Sequence, residues 1–212
     1  MNNMLRLFVA IELPPAVREA LRSAQAGLKE ARLPVRWVDP EGAHLTLKFL
    51  GSTRPEQVPA ISAALADVAR AHRPLELETA ELGCFPHARA PRVVWLGLAG
   101  AVQALGALRD DVERLIAPLG FPTEQRPFSP HLTLGRTSKD ATRQDVARIG
   151  PLITATRAPP AIQWRASSIS LMRSNLGPAG ARYTRLAEAS LDLPGSSAII
   201  QPADEPDVPP DP

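Results

Sequence analysis

The sequence predicts an α+β fold built as a bilobal, pseudo-twofold duplication. Short apolar runs typical of strands alternate along the chain with amphipathic segments typical of helices. The second half repeats the order of the first, and each half contains the tetrapeptide His-Leu-Thr-Leu, at residues 44–47 and 131–134. The tetrapeptide alone would be weak evidence in a chain rich in leucine and alanine. Its equivalent position in two similar series of elements indicates a duplication.

The first half begins with an apolar run over residues 5–13, which predicts a buried strand because two prolines close it. A helix is predicted over residues 16–31, where Val17, Leu21 and Leu28 recur at helical spacing. The remaining predicted elements of this half are, in order, a short strand at 35–38, a strand at 44–51, a helix at 54–72 and a strand at 75–86.

The second half has the same alternation of elements, and its motif is again predicted to lie on a strand. Ser138 is a candidate N-cap for the helix that follows this strand. The predicted elements are, in order, a strand at 91–100, a helix at 102–120, an irregular segment at 121–130, strand 131–137, helix 138–150, strand 161–174 and strand 181–191.

The end of the chain differs in composition from the rest. Residues 194–212 contain six prolines and four carboxylates but no basic residue. Such a segment has too few apolar side chains to offset the entropy lost on folding, so we expect an acidic, Pro-rich, disordered tail. We expect residues 1–193 to form a single bilobal domain whose lobes share one cleft.

Charge is unevenly distributed along the chain. The formal charge is only +2, but five of the 22 acidic residues lie in residues 192–212, which contain no base. The remaining body has 24 basic and 17 acidic residues, a formal charge of +7. A basic body suits an anionic ligand, although this charge is too small to establish nucleic-acid binding.

The cysteine content and the first residues of the chain bear on the cellular compartment of the protein. Cys84 is the only cysteine, so the chain has no internal disulfide, which is compatible with a reducing cytoplasm. The first apolar run extends for only about five residues before Glu12, too short for a signal peptide or a membrane span. We therefore expect a soluble, cytoplasmic, monomeric protein that does not bind a membrane.

Each motif separates polar from apolar side chains, because successive residues of a strand point to opposite faces. The leucines must face a core, so the polar side chains face solvent, a cleft or the other lobe. Across a pseudo-twofold axis, these polar faces would form one cleft with two imidazoles and two hydroxyls. The predicted polar faces comprise His44, Thr46 and Lys48, and His131 and Thr133; the predicted apolar faces comprise Leu45, Leu47 and Phe49, and Leu132 and Leu134.

Two imidazoles facing one cleft suit paired acid–base catalysis, because the unperturbed pKa of histidine lies near neutrality. One neutral histidine would accept a proton from a nucleophile while the other, protonated, donates to a leaving group. Two threonine hydroxyls would hold the oxygens of a tetrahedral anion. Phosphorus is the natural centre, since in-line displacement places the attacking and leaving oxygens on opposite sides. A single histidine beside a threonine is most often a surface or core residue, so this hypothesis depends on the two copies.

A metal site is the other chemical alternative. It needs a third or fourth ligand, and the remaining histidines, His72 and His87, lie outside the repeat. Cys84 and His87 have C-x-x-H spacing, but an isolated pair is weak evidence, and we expect Cys84 to be a small buried strand residue. The sequence contains no glycine-rich phosphate loop. We therefore expect neither a metal nor a cofactor.

Three arginines require separate treatment. Arg136 follows His131 by five residues, so strict alternation would point it away from the cleft. It reaches the cleft only if the strand ends or bulges near Gly135. The pattern leaves both alternatives open: a surface arginine, or a charge partner for a phosphate. We expect Arg109 and Arg114 to lie on the solvated face of a helix.

These motifs resemble the paired H-x-T motifs of the 2H phosphoesterase superfamily. Within it, the chain is similar to the LigT-like RNA 2′,3′-cyclic phosphodiesterases, also called 2′-5′ RNA ligases. The stretch "HLTLKFLG" resembles their first motif, and "RPFSPHLTLGR" resembles the second with its lead-in. The stretches "RLFVAIELP", "VVWLGL" and "RYTRL" also have counterparts. The likeness extends from about residue 5 to about residue 191 and leaves out the acidic tail.

The resemblance implies two antiparallel-rich sheets facing a central cleft, with helices outside. It also implies that an RNA 2′,3′-cyclic phosphate is opened to a 2′-phosphate without metal or ATP, with 2′-5′ ligation as the reverse of a related reaction. Carried over, His44 would be the proton donor and His131 the proton acceptor. Thr46 and Thr133 would bind phosphate oxygens, and Arg136 would be their charged partner. Residue chemistry alone does not assign donor and acceptor, because a pseudo-symmetric site lets either histidine take either role.

Two other functions are consistent with the same features. The protein would then be a 2H phosphoesterase of another cyclic phosphate or small nucleotide, or a non-catalytic RNA-binding module with the same fold. Intact histidines in both motifs favour an enzyme. The expected partners are RNA ends or small cyclic-phosphate nucleotides.

Overall fold

The computed structural model describes residues 4–177 and 180–192. Within those residues, nine strands form two antiparallel sheets, accompanied by four α-helices. The strands are β1 (Leu5–Glu12), β2 (Val35–Trp37), β3 (His44–Thr53), β4 (Leu75–Phe85), β5 (Val93–Gly100), β6 (His131–Thr137), β7 (Gln163–Ala166), β8 (Ser168–Gly177) and β9 (Gly180–Ser190). The helices are α1 (Pro15–Lys29), α2 (Val58–Arg70), α3 (Val102–Ile116) and α4 (Arg143–Ala155). The predicted tail at 194–212 lies outside the described residues.

The strands form a four-stranded sheet A, in the order β3-β1-β8-β9, and a five-stranded sheet B, in the order β2-β6-β5-β4-β7. The two motif strands, β3 and β6, lie in different sheets, and Cα atoms of the two strands approach within 8 Å. The predicted α+β fold with two antiparallel sheets is confirmed. The sheets do not coincide with the halves of the sequence, however, since β2 and β4 belong to sheet B while β8 and β9 complete sheet A.

Two local predictions are wrong. The single strand predicted at 161–174 is two strands, β7 and β8, in different sheets, and Ser167 between them accepts a hydrogen bond from the amide of Leu191. The N-cap of α4 is Thr142 rather than Ser138. Thr142 and Asp145 form a reciprocal capping box, which satisfies two amides at the helix start and sets where α4 begins.

The core lies where the helices cover the sheets, on the faces opposite the motif histidines. The apolar stripe of α1 is fully buried there, as the helical spacing of its Val and Leu residues predicts. The motif leucines are also buried, which turns the histidine and threonine of each motif toward the other face. The buried motif leucines are Leu45, Leu47, Leu132 and Leu134.

Among the described residues, no helix has both the length and the apolar composition that crossing a bilayer requires.

Candidate active site

Strand β3 has a β-bulge at the fourth residue of its motif. Thr46 and Lys48 lie opposite consecutive residues of β1, so Leu47 between them has no partner. The extra residue reverses the alternation of faces beyond it. The predicted faces are therefore wrong for two residues: Lys48, expected beside His44, is 4% exposed and buried, whereas Phe49, expected in the core, is 71% exposed.

Strand β6 has a β-bulge at the same motif position. Thr133 and Gly135 lie opposite consecutive residues of β5, so Leu134 has no partner. The reversal turns Arg136 to the face that carries His131, and its side chain is exposed there. From the sequence, Arg136 was expected to reach the cleft only if the strand ended or bulged near Gly135. The bulge at Leu134 meets that condition.

Each motif histidine is held by the same hydrogen bond. The Nδ1 of His44 lies 2.9 Å from the carbonyl oxygen of Gly42, and the Nδ1 of His131 lies 2.7 Å from that of Ser129. In both cases the carbonyl belongs to the residue two positions earlier. A carbonyl only accepts, so Nδ1 carries the hydrogen in each ring, and Nε2 is left to exchange a proton with a ligand.

Aromatic rings fix the planes of both imidazoles. His44 packs against Phe8, with ring centroids 4.4 Å apart, and edge-on against Tyr183 at 4.9 Å. His131 packs edge-on against Phe85, also at 4.9 Å. The ring of Trp95 lies farther from His131, at 6.4 Å. Both sheets thus present a half-buried histidine within an aromatic wall, which limits rotation of the ring.

Burial lowers the pKa of both imidazoles below the usual value of histidine, because the charged form loses hydration. The hydrogen bond to the Gly42 or Ser129 carbonyl opposes this effect in each ring, since Nδ1–H is a better donor in the cation. The two sites differ in their nearest charge. The Glu12 carboxylate raises the pKa of His44, whereas the Arg136 guanidinium lowers the pKa of His131.

Glu12 is a candidate site residue that sequence reasoning missed. It lies directly opposite His44 on β1, and its Oε1 accepts hydrogen bonds from Ser170 Oγ at 2.7 Å and Arg185 Nη1 at 3.3 Å. These bonds hold the carboxylate on the cleft face. The pairing is not visible in the sequence, because 32 positions separate Glu12 from His44 and only the strand register brings them together.

A buried ion pair joins the first motif strand to the approach of the second. The ammonium of Lys48 contacts the carboxylate of Glu113 on α3 and donates to the carbonyl of Pro122 at 2.8 Å. Glu113 in turn accepts a bond from the amide of Glu124 at 3.2 Å. Lys48 and Glu113 therefore hold the backbone at Pro122 and Glu124, at the start of the segment that supplies the Ser129 carbonyl.

Arg109 belongs to this network, so the prediction that it lies on a solvated face is wrong. The residue is 8% exposed, and its Nη2 lies 3.3 Å from Glu113 Oε1, close enough for charge attraction although not aligned as a hydrogen bond. Its guanidinium also lies over the Phe128 ring at 5.6 Å. Arg114 is exposed, as predicted, and pairs with Asp111.

The remaining histidines and the cysteine lie apart from the two motifs. His72 Nε2 is 2.8 Å from Asp111 Oδ2, an ion-pair geometry on the helix side of the sheet. Cys84 is half-buried in β4 and packs against the core, and this partial burial raises the pKa of its thiol. In the part of the chain that the structure describes, no three metal-ligating side chains come together.

Comparison with known proteins finds relatives of one family that match most of the chain. The model of the 2′-5′ RNA ligase superfamily matches residues 13–178. The RNA 2′,3′-cyclic phosphodiesterase of Methanothermobacter thermautotrophicus is 34% identical over 181 residues, covering 85% of this chain and 95% of the relative. The protein of the same name from Thermus thermophilus is 34% identical over 194 residues, covering 88% of this chain and 90% of the relative.

Solved structures share the fold. The crystal structure of TT0787 of Thermus thermophilus has a TM-score of 0.71 and 31% identity, covering 88% of this chain and 98% of that one. The crystal structure of E. coli LigT complexed with 3′-AMP has a TM-score of 0.70 and 28% identity, covering 89% of this chain and 99% of that one.

Proposed function

The chain belongs to the 2′-5′ RNA ligase superfamily, and from this premise we propose that it hydrolyses RNA 2′,3′-cyclic phosphate ends to 2′-phosphates through proton transfer between His44 and His131. One observation carries the proposal. Both motif strands are bulged at the same position, and both histidines are tied through Nδ1 to the carbonyl two residues earlier. The protein therefore holds two Nε2 atoms in equivalent settings, as a reaction with one proton donor and one acceptor requires.

The reaction begins with a water molecule in line with the bond between phosphorus and O3′. His131 Nε2 removes a proton from this water as its oxygen attacks phosphorus. The P–O3′ bond breaks, and His44 Nε2 gives its proton to the leaving O3′. The products are a 2′-phosphate and a free 3′-hydroxyl. The next cycle begins when His131 has lost its proton and His44 has regained one.

The charges beside the two histidines favour this direction. Glu12 stabilises the protonated form of His44, which suits a proton donor, and Arg136 destabilises the protonated form of His131, which suits an acceptor. The pseudo-symmetry of the two motifs is thus broken by two residues that lie outside the tetrapeptides. This asymmetry supports the same assignment that the family resemblance implies.

The phosphate group would lie between the motif threonines. Thr46 and Thr133 are half-buried on the same faces as the histidines, and their hydroxyls donate to the non-bridging oxygens. Arg136, on the same face as Thr133, balances the charge that grows on these oxygens. Hydroxyl donors and one guanidinium are enough to orient a cyclic phosphate, since its phosphorus carries a single negative charge.

The aromatic side chains of sheet A suit the nucleoside. Phe49 is 71% exposed, and its ring lies 6.3 Å from Phe8, which itself contacts His44. Phe8 is 3% exposed and packs as a core residue, so Phe49 is the ring available for stacking. Base–aromatic stacking tolerates any base, which suits an enzyme acting on the ends of many RNAs. The same displacement with a 5′-hydroxyl in place of water would form a P–O5′ bond as the P–O3′ bond breaks, leaving a 2′-5′ linkage and a free 3′-hydroxyl.

The deciding experiment is turnover of an oligoribonucleotide ending in a 2′,3′-cyclic phosphate, with a chelator present and the product isomer identified. We expect a 2′-phosphate product and full activity with the chelator, because two imidazoles complete the proton transfers. A 3′-phosphate product would mean that water attacks in line with the P–O2′ bond instead of the P–O3′ bond. Dependence on an added divalent metal would contradict a mechanism in which two imidazoles complete the proton transfers. Mononucleotide cyclic phosphates tested in parallel separate an RNA-end enzyme from an enzyme of small nucleotides. Binding without turnover of any of them would indicate an RNA-binding module.

A further inference from the structure

Strand β2 presents one exposed arginine to the cleft. The strand has only three residues at the edge of sheet B, and it pairs with β6 so that Arg36 lies directly opposite Arg136. The residues on either side, Val35 and Trp37, pack against the hydrophobic core. Side chains alternate along a strand, so Arg36 points to the opposite face, the face that carries Arg136 and His131.

Close packing fixes this position. Gly135 lies opposite Trp37, and a Cβ atom at Gly135 would lie 2.6 Å from Cγ1 of Val35 and 3.1 Å from the Trp37 ring. The glycine therefore lets β2 approach β6 closely. Lys29 also covers the Trp37 ring, with its Nζ 5.7 Å from the ring centroid. Arg36 thus projects from an anchored strand rather than from a loose edge.

The arrangement is unfavourable without a ligand. Directly opposed residues in an antiparallel pair have Cα atoms about 4.5–5.5 Å apart, and like charges there repel. Within residues 4–177 and 180–192, neither Arg36 nor Arg136 forms a salt bridge with a carboxylate. Two exposed guanidiniums that share one face and pair with no described carboxylate attract an anion.

We infer that Arg36 binds the internucleotide phosphate next to the reacting cyclic phosphate, while Arg136 faces the reacting phosphate itself, so that the protein prefers an oligonucleotide end to a mononucleotide. The inference rests on the proposed function. Arg136 lies in the motif strand beside the histidines, and Arg36 lies one strand spacing farther out, about 4.8 Å. A second phosphate one nucleotide away from the first would meet Arg36 in this position.

The test compares three ligands on the full-length protein by calorimetry: a nucleoside 2′-phosphate, a dinucleotide ending in a 2′-phosphate, and that dinucleotide with a neutral methylphosphonate linkage. The last two differ only by the internucleotide charge. The wild-type protein should bind the charged dinucleotide about tenfold or more tightly than the neutral one, as expected for a charge-assisted contact. Arg36→Ala should abolish that preference, and Arg36→Lys should retain part of it.

Arg148→Ala is the matched control, since Arg148 is an exposed arginine of α4 on the helix side of the same sheet and its loss changes the net charge equally. It should leave the preference intact. Arg36→Glu provides a second readout, because a carboxylate opposite Arg136 replaces repulsion by attraction. That variant should lose the preference while its melting temperature rises by about 1–3 °C.

Two results would overturn the inference: Arg36→Ala retaining the preference for the charged linkage, or weakening all three ligands equally. Turnover of the corresponding cyclic phosphates is measured separately. If wild-type protein hydrolyses none of them, the proposed function fails, while the binding comparison still decides whether Arg36 recognises an internucleotide phosphate.

Discussion

Lys48 and Glu113 form a buried ion pair that connects the first motif strand to the helix preceding the second motif. Both side chains are nearly inaccessible, and the pair also holds the backbone at Pro122 and Glu124, which precede Ser129. Burial makes such a pair costly to form but much more costly to break, because the remaining partner is left as an uncompensated charge.

Lys48→Met and Glu113→Gln are each expected to lower the free energy of unfolding by about 3–5 kcal/mol. The double variant Lys48→Met/Glu113→Gln should lose less than the sum of the two single changes, since each single change leaves the other member of the pair without its partner, whereas Arg109 keeps Asp110. Urea denaturation of all four proteins completes the cycle. Additive losses would mean that the two side chains act independently. Arg114→Ala, which removes an exposed pair on the same helix, should change stability by less than about 1 kcal/mol.

Replacement of either motif histidine by alanine is expected to reduce turnover of a cyclic phosphate by about 10²–10⁴-fold. Each loss removes one of the two proton transfers, while the leucines that hold the strand in the core are unchanged. Circular dichroism and thermal melting should show that the fold is retained. His87→Ala, an exposed histidine outside both motifs, is the control and should keep full activity. Near-normal turnover by His44→Ala or His131→Ala would remove that residue from the mechanism.

The pH profile follows from the environment of each imidazole. Burial lowers the pKa of both histidines, so in the free enzyme the donor loses its proton at a pH below the usual value for histidine. A plot of kcat/KM against pH should be bell-shaped, with its alkaline limb at or below that value. Bound phosphate favours the imidazolium, so the alkaline limb of kcat should lie at higher pH. The two apparent pKa values belong to the coupled pair.

Glu12→Gln should move the alkaline limb of kcat/KM to lower pH, because the carboxylate raises the pKa of His44 and its loss releases the proton earlier. Glu188→Gln is the control, since Glu188 shares the Arg185 partner of Glu12. That control should leave the limb in place. A flat wild-type profile from about pH 5 to 9, with chemistry rate-limiting, would contradict the two-histidine mechanism.

Phe49→Ala is expected to raise KM for RNA ends by about 5–100-fold, the range expected when one base loses an aromatic platform. Stability should change little, because the ring is mostly exposed. Phe49→Leu is the informative comparison: it keeps an apolar side chain but removes the flat face. Recovery of normal KM in the leucine variant would show that Phe49 contributes hydrophobic cover rather than stacking.

Deletion of residues 194–212 is expected to leave activity and melting temperature nearly unchanged. The expectation comes from composition, since a Pro-rich acidic segment has little apolar surface to bury. Turnover and thermal melting of the shortened protein provide the check. A fall of several degrees in Tm would show that these residues dock on the rest of the chain.

The sequence was sufficient to predict the elements that depend on local pattern. Alternation of polar and apolar residues identified the motif strands, and helical spacing identified α1 and the burial of its Val and Leu residues. It was not sufficient where one residue changes the register. An unpaired Leu47 cannot be recognised from alternation, because "HLTLKF" continues the pattern without interruption.

Contacts between distant segments were also beyond prediction. The charge beside His44 comes from a strand 32 residues away, and the partner of Lys48 lies 65 residues farther along the chain. Arg36 appears in the sequence as an ordinary strand residue, and only its position opposite Arg136 makes it a candidate for phosphate binding. Such pairs depend on the order of strands and on loop geometry, which residue periodicity does not encode.

The two bulges make Phe49 and Arg136 counterparts. Each lies five residues beyond its histidine, and each is turned to the cleft by the extra leucine at the fourth position of its motif. A perfect repeat would have put one residue type at both positions and left a ligand with no reason to lie in one direction rather than the other. Because one motif strand carries an aromatic ring and the other carries a cation, the two ends of the site differ, and a ligand can bind in one preferred direction. If an already bulged strand was duplicated, these two exposed positions were free to diverge without disturbing either core. A preferred direction of ligand binding could then evolve through substitutions at only these two positions.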